Sequence, residues 1–89
     1  MDRHEARIQI IVLRDKQEAL ERRAVLMHEA SCDHFVVAGA AQEQGLWRIA
    51  EREGRAGHRR WEQSQAMHER ARRLGARIAR AEARAEKGR

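Results

Sequence analysis

Residues able to bind a metal or attack a substrate come together once in this chain, at His28, Cys32 and His34, with Asp33 beside them. A helix through His28 and Cys32, four residues apart, sets imidazole and thiol on one face. His34 lies two residues past Cys32 and points elsewhere on that helix. Zinc sites want four ligands in paired spacings, and His4, His58 and His68 are too scattered to complete a set. A thiol–imidazole pair with no orienting third group and no oxyanion site lacks the parts of a nucleophilic centre. His4-Glu5, His28-Glu29 and His68-Glu69 are adjacent pairs, and neighbours in a helix do not face each other. There is no Gly-rich phosphate loop and no H-E-x-x-H. The expectation is therefore a protein without catalytic residues, metal or cofactor.

The cationic residues carry a stronger pattern. Arg70, Arg73, Arg77, Arg80, Arg84 and Lys87 recur at alternating steps of three and four, which on a helix makes one stripe about 25 Å long. Arg59 extends it upstream, with Gln63 and Ala66 between. Only Glu69, four residues before Arg73, is placed for a pair within the helix. Guanidinium groups suit bidentate contact with carboxylate or phosphate. Two readings stand. The stripe either pairs with acids of a facing helix, for which Asp15, Glu18, Glu21 and Glu29 are available, or it meets an acidic protein surface or phosphate. Interleaved aromatics and base-reading Asn or Gln are missing, so any DNA or RNA binding would be directed at the backbone and sensitive to salt. Trp61 stands outside the apolar pattern among Arg59, Arg60 and Glu62, and Trp and Arg dominate binding hot spots. The predicted partner-binding set is Arg70, Arg73, Arg77, Arg80 and Arg84 with Trp61 and Leu74.

The whole chain is 89 residues with a formal net charge of +5, 37% charged and only 3% aromatic, with no Pro and one Cys. That is one small domain, 1–89, and Ala supplies much of its apolar content, so a deep pocket with large apolar walls is not expected. A single Cys forms no internal disulfide. The apolar run Ile10 to Leu13 is too short for a signal peptide or a membrane span, which predicts a cytoplasmic protein that does not enter membranes. Arg far outnumbers Lys, the bias of a GC-rich bacterial or phage genome. Residues 1–45 carry a net charge of −2 and residues 46–89 of +7.

Helices must position these groups. Ile10, Leu13, Gln17, Leu20, Ala24, Met27 and Ser31 follow heptad a and d spacing. Ile8, Val12, Ala19 and Leu26 widen that stripe enough to meet two neighbours, as in a bundle. Asp2 is placed to cap the helix, with Glu5 three residues on. Ser31 to His34, Gly39 to Gly45, and Gly54 to Gly57 are the candidate interruptions, and Trp47 beside Leu46 and Ala50 reads as core. Met67, Ala71, Leu74, Ile78, Ala81 and Ala85 form a second seam. The predicted fold is all-α: helical stretches over about 3–30, 35–53 and 58–87 in a small three-helix coiled-coil bundle, or two long helices in an antiparallel hairpin. Seams this thin call for completion by a protein partner or by a second copy in a homodimer. The function expected is a non-enzymatic module that docks on a partner protein through an apolar helix seam and the Arg stripe. A small basic helical protein contacting DNA or RNA phosphates is the alternative.

Overall fold

Asp2 opens the first helix as its spacing predicts. Its backbone is extended, and its Oδ1 accepts from the Glu5 N–H at 2.8 Å, a cap worth about 1 kcal/mol. In the computed structural model, which describes residues 2–87, this helix, α1 (Arg3–Glu43), runs without a break and is followed by a second, α2 (Trp47–Lys87), of the same 41 residues. The reversal is made at Gly45, whose φ is +74°, a conformation that glycine adopts without penalty. The Leu46 N–H bonds to the carbonyl of Ala41 at 2.8 Å and the Gly45 N–H to that of Gln42 at 3.0 Å. This paired closure satisfies carbonyls that the helix end would otherwise leave bare.

The fold is thus all-α and a two-helix hairpin, with no strand among the described residues. The three-helix arrangement is corrected. Ser31 to His34 continues α1, and Gly54 to Gly57 lies inside α2. Both segments interrupt the apolar pattern without interrupting the helix, because their polar and small residues do seam work. Ser31 donates its hydroxyl to the Gly57 carbonyl across the hairpin at 2.8 Å, and His34 Nδ1 meets Glu53 Oε2 at 2.6 Å. Gly57 sits so close to the first helix that a Cβ there would fall 3.0 Å from Phe35 Cε1 and 3.2 Å from His34 Cβ.

The heptad stripe of α1 continues past Ser31 through His34, Ala38 and Ala41, all at least half-buried. In α2 the fully buried positions Gly57, Ser64, Ala71 and Ile78 are one heptad apart. Steps of seven on one helix meet steps of seven on the other: Ser31 opposite Gly57, Ala24 opposite Ser64, Gln17 opposite Ala71. Where Arg60 occupies a seam position it stays exposed, reaching Met27 Sδ at 3.6 Å and Gln63 Oε1 at 3.1 Å.

One seam makes a rod. The Cα atoms extend 67 × 14 × 13 Å with a radius of gyration of 19.7 Å, against about 12 Å for a compact chain of this length. Trp47, expected in the core, is 61% exposed just past the turn. Ile8, Val12 and Leu26, expected to meet a second neighbour, face solvent, because the hairpin supplies only one. No described helix is long and apolar enough to cross a membrane.

Candidate functional site

The residues of the Arg stripe sit on the flank of α2 next to the seam. Steps of three and four keep them on that flank while Ala71, Leu74 and Ile78 turn inward. Antiparallel pairing brings α1 alongside, and the two helices enclose a groove of about 620 Å³ lined by Lys16, Ala19 and Leu20 from α1 and Arg70, Arg73, Leu74 and Arg77 from α2. Its floor is the half-buried pair of leucines, and its rims are cationic. Arg84 lines a second hollow of about 450 Å³ near the helix ends, with Asp2, Arg3, Gln9 and Ala81. Arg80 is exposed on the same flank, outside both hollows.

Among the described residues no carboxylate lies within 4.0 Å of Arg70, Arg77, Arg80 or Arg84, and Arg73 has only Glu69, at 3.7 Å within its own helix. The acids available for neutralising the stripe are elsewhere. Glu18 pairs loosely with Arg22 at 3.9 Å, and both line a different hollow of α1 together with Glu21. Asp15 and Glu29 belong to the outward rows of α1, away from α2. Among the described residues the one Arg–Glu pair spanning the hairpin is Arg14 with Glu82, and neither belongs to the stripe. The internal-pairing reading therefore does not account for the Arg residues: Lys16 adds a further cation to the groove in place of an acid.

Two of the expected site residues behave differently from the stripe. Leu74 joins it, half-buried in the groove floor. Trp61 does not: it precedes Arg70 by nine residues, two and a half turns, so the two point to opposite sides of α2. Trp61 is 43% exposed and its ring stacks on His58, with centroids 6.0 Å apart. The seam also takes a different part from the one expected of it. It is closed against the chain's own second helix, and in the groove its Leu20 and Leu74 edge is left open to a partner. Lys16, Ala19 and Leu20 complete the site and were not singled out from sequence as parts of it. Their only signal is the heptad register of α1, which becomes informative once the facing helix is known.

Of the cluster His28, Cys32 and His34, the structure joins only the first two, with Cys32 Sγ 3.8 Å from His28 Nε2 at the surface. His34 turns into the seam onto Glu53. No group of three or more metal-ligating side chains converges among the described residues. No known family matches this chain, and no curated protein or solved structure matches it significantly.

Proposed function

We propose that the protein is a non-enzymatic docking module of the cytoplasm that seats an acidic, partly apolar segment of a partner protein in the groove between α1 and α2. The supporting observation is the groove's composition: Arg70, Arg73, Arg77 and Lys16 rim two leucines, and among the described residues only Glu69, beside Arg73 on its own helix, brings a carboxylate within 4.0 Å of these cations. Partner carboxylates take the guanidinium forks bidentately, and an apolar partner residue covers Leu20 and Leu74. The second reading, binding to DNA or RNA phosphates, draws on the same unneutralised charge. Against it stand the leucine floor, which a phosphate backbone leaves uncovered, and the acids on the outward side of α1, which repel a polyanion larger than the groove.

The test is capture of a partner from lysate with and without nuclease, followed by binding of Arg73→Glu with Arg77→Glu beside a thermal melt. A nuclease-resistant protein partner, a folded double mutant and weakened binding are the expected results. Binding lost on nuclease treatment, with a wild-type affinity falling linearly in log salt and a shallower slope in the mutant, would establish the phosphate reading instead. A folded double mutant with undiminished binding would remove the groove from the functional account.

A further inference from the structure

We propose that the outward side of α1 is the interface of a two-fold symmetric homodimer, in which α1 packs antiparallel against α1 of a second copy about a point between Val25 and Leu26. This surface shares only Ala19 with the basic groove, and the inference does not rest on the docking reading.

The two helices differ in how their apolar residues are distributed. On α2 the aliphatic residues keep to the seam side, and only Trp47 beside the turn and Trp61 on one flank are large and exposed among the described residues. On α1 they occur on both sides: Ile8, Ile11, Val12, Val25, Leu26 and Val36 all point away from α2 and are exposed, Ile11 and Leu26 at 59% and Val36 at 72%. From Ile8 to Ala40 this face is about 48 Å long. Its apolar residues form two clusters, Ile8, Ile11 and Val12 near one end and Val25 with Leu26 near the middle, separated by Asp15, Glu18 and Arg22, and exposed apolar clusters of this kind mark an interaction site.

Self-pairing is indicated by what the face sets opposite itself. When α1 is laid antiparallel about the Val25–Leu26 point, Val25 of each copy comes level with Leu26 of the other. Ile11 comes level with Ala40 and Val12 with Gly39, large against small, and Ala19 comes level with Cys32. Gly39 has no atom within 4 Å of where a Cβ would stand, so within the hairpin nothing else occupies that place. The outward rows hold one cation, Arg22, among Glu5, Asp15, Glu18, Glu29, Asp33 and Glu43. In this register Arg22 comes level with Glu29 of the other copy, twice by symmetry, which offsets the approach of Glu18 to Asp33, while Ile8 and Val36 come level with Glu43 and Asp15. The present contact of Arg22 with Glu18 is a loose one of 3.9 Å between exposed groups. Sliding by one heptad in either direction destroys the match. One way sets Arg22 against itself and Asp15 against Glu29; the other sets Glu29 against itself and Asp15 against Glu43.

Charge distribution points the same way. Helix α2 carries twelve Arg and Lys against six Glu. Joining the copies through α1 leaves the two cationic helices on the outside, at the greatest separation the shape permits. The rival contact, the acidic side of α1 on the basic side of a neighbour's α2, is heterologous and extends without closing.

Sedimentation of the full chain over a range of concentrations and at low and high salt tests the proposal. The expected result is a closed dimer that persists in high salt, because apolar contacts carry it. Val25→Asp with Leu26→Asp should give a monomer that keeps its helical circular dichroism. Arg22→Glu and Glu29→Arg should each weaken the dimer about tenfold or more, while the two together restore it. Leu26→Cys in a Cys32→Ser background should cross-link to its own copy under mild oxidation. A monomer at every concentration, a dimer indifferent to the Asp pair, a combined charge swap no better than its single members, or open-ended oligomers that dissolve in salt would each overturn the assignment.

Discussion

The hydroxyl of Ser31 donates to the carbonyl of Gly57 across the hairpin at 2.8 Å, and one heptad away the bond recurs in the opposite sense, from Ser64 to the carbonyl of Ala24. Both serines are almost wholly buried, and no buried side-chain polar atom among the described residues is without a partner. A hydroxyl one methylene from its backbone reaches the facing main chain only if the helices lie close together. The reciprocal bonds therefore fix both the spacing and the register of the hairpin. Ser31→Ala should cost about 1 kcal/mol, the worth of one hydrogen bond whose acceptor is already engaged in its own helix. Ser31→Leu should cost about 1–3 kcal/mol through overpacking. Urea denaturation of the two variants gives the comparison, and a Leu variant as stable as wild type would mean the helices are not held close at this point.

Glycines in α2 should respond in opposite directions to the same change. Gly54 has open space where a Cβ would go, so Gly54→Ala should stabilise by about 1 kcal/mol through backbone entropy. Gly57→Ala places a methyl 3.0 Å from the Phe35 ring and 3.2 Å from His34 Cβ. The second of these is anchored to the backbone and cannot swing away, so the facing helix itself must give by a few tenths of an ångström. Here the loss of contact should outweigh the gain in helix propensity, lowering the melting temperature while Gly54→Ala raises it.

Leu13 and Leu26 lie on the same helix with opposite fates, Leu13 buried in the seam and Leu26 on the outward side. In conditions where the chain is monomeric, Leu13→Ala should cost about 2–4 kcal/mol and Leu26→Ala roughly 0.5 kcal/mol or less. Under dimerising conditions the deficit of the Leu26 variant against wild type should grow with the logarithm of protein concentration, which thermal melts across a dilution series would show.

Binding in the groove should depend on both helices. Lys16→Glu should weaken capture of the partner about as much as Arg77→Glu, although the two residues are 61 positions apart in sequence. Leu74→Ala should also weaken it, and Trp61→Ala, on the far side of α2, should leave it unchanged. A titration in which Trp61→Ala is the damaging variant would move the docking surface to the other edge of the hairpin.

Much of this architecture was legible in the residues alone. Absent proline, the heptad spacing of Ile10 through Ser31 and of Met67 through Ala85, the cap at Asp2 and the periodic Arg stripe are local properties, expressed within a few turns of one helix. They determined an all-helical chain and the flank on which its cations stand. The number of helices was not local. Ser31, His34 and Gly57 are poor core or helix residues by themselves, and only the opposite helix turns them into seam residues, by offering a carbonyl to Ser31, a carboxylate to His34 and the side chains of His34 and Phe35 to Gly57. The same holds for the site. A stripe of Arg beside a seam says nothing of what faces it; pairing the helices antiparallel decided that Lys16 and Leu20 do, and no acid of α1. Helix periodicity is written in neighbours three and four apart. Which long-range pairs meet depends on one turn, at Gly45, and on the register that close packing of small residues enforces on either side of it.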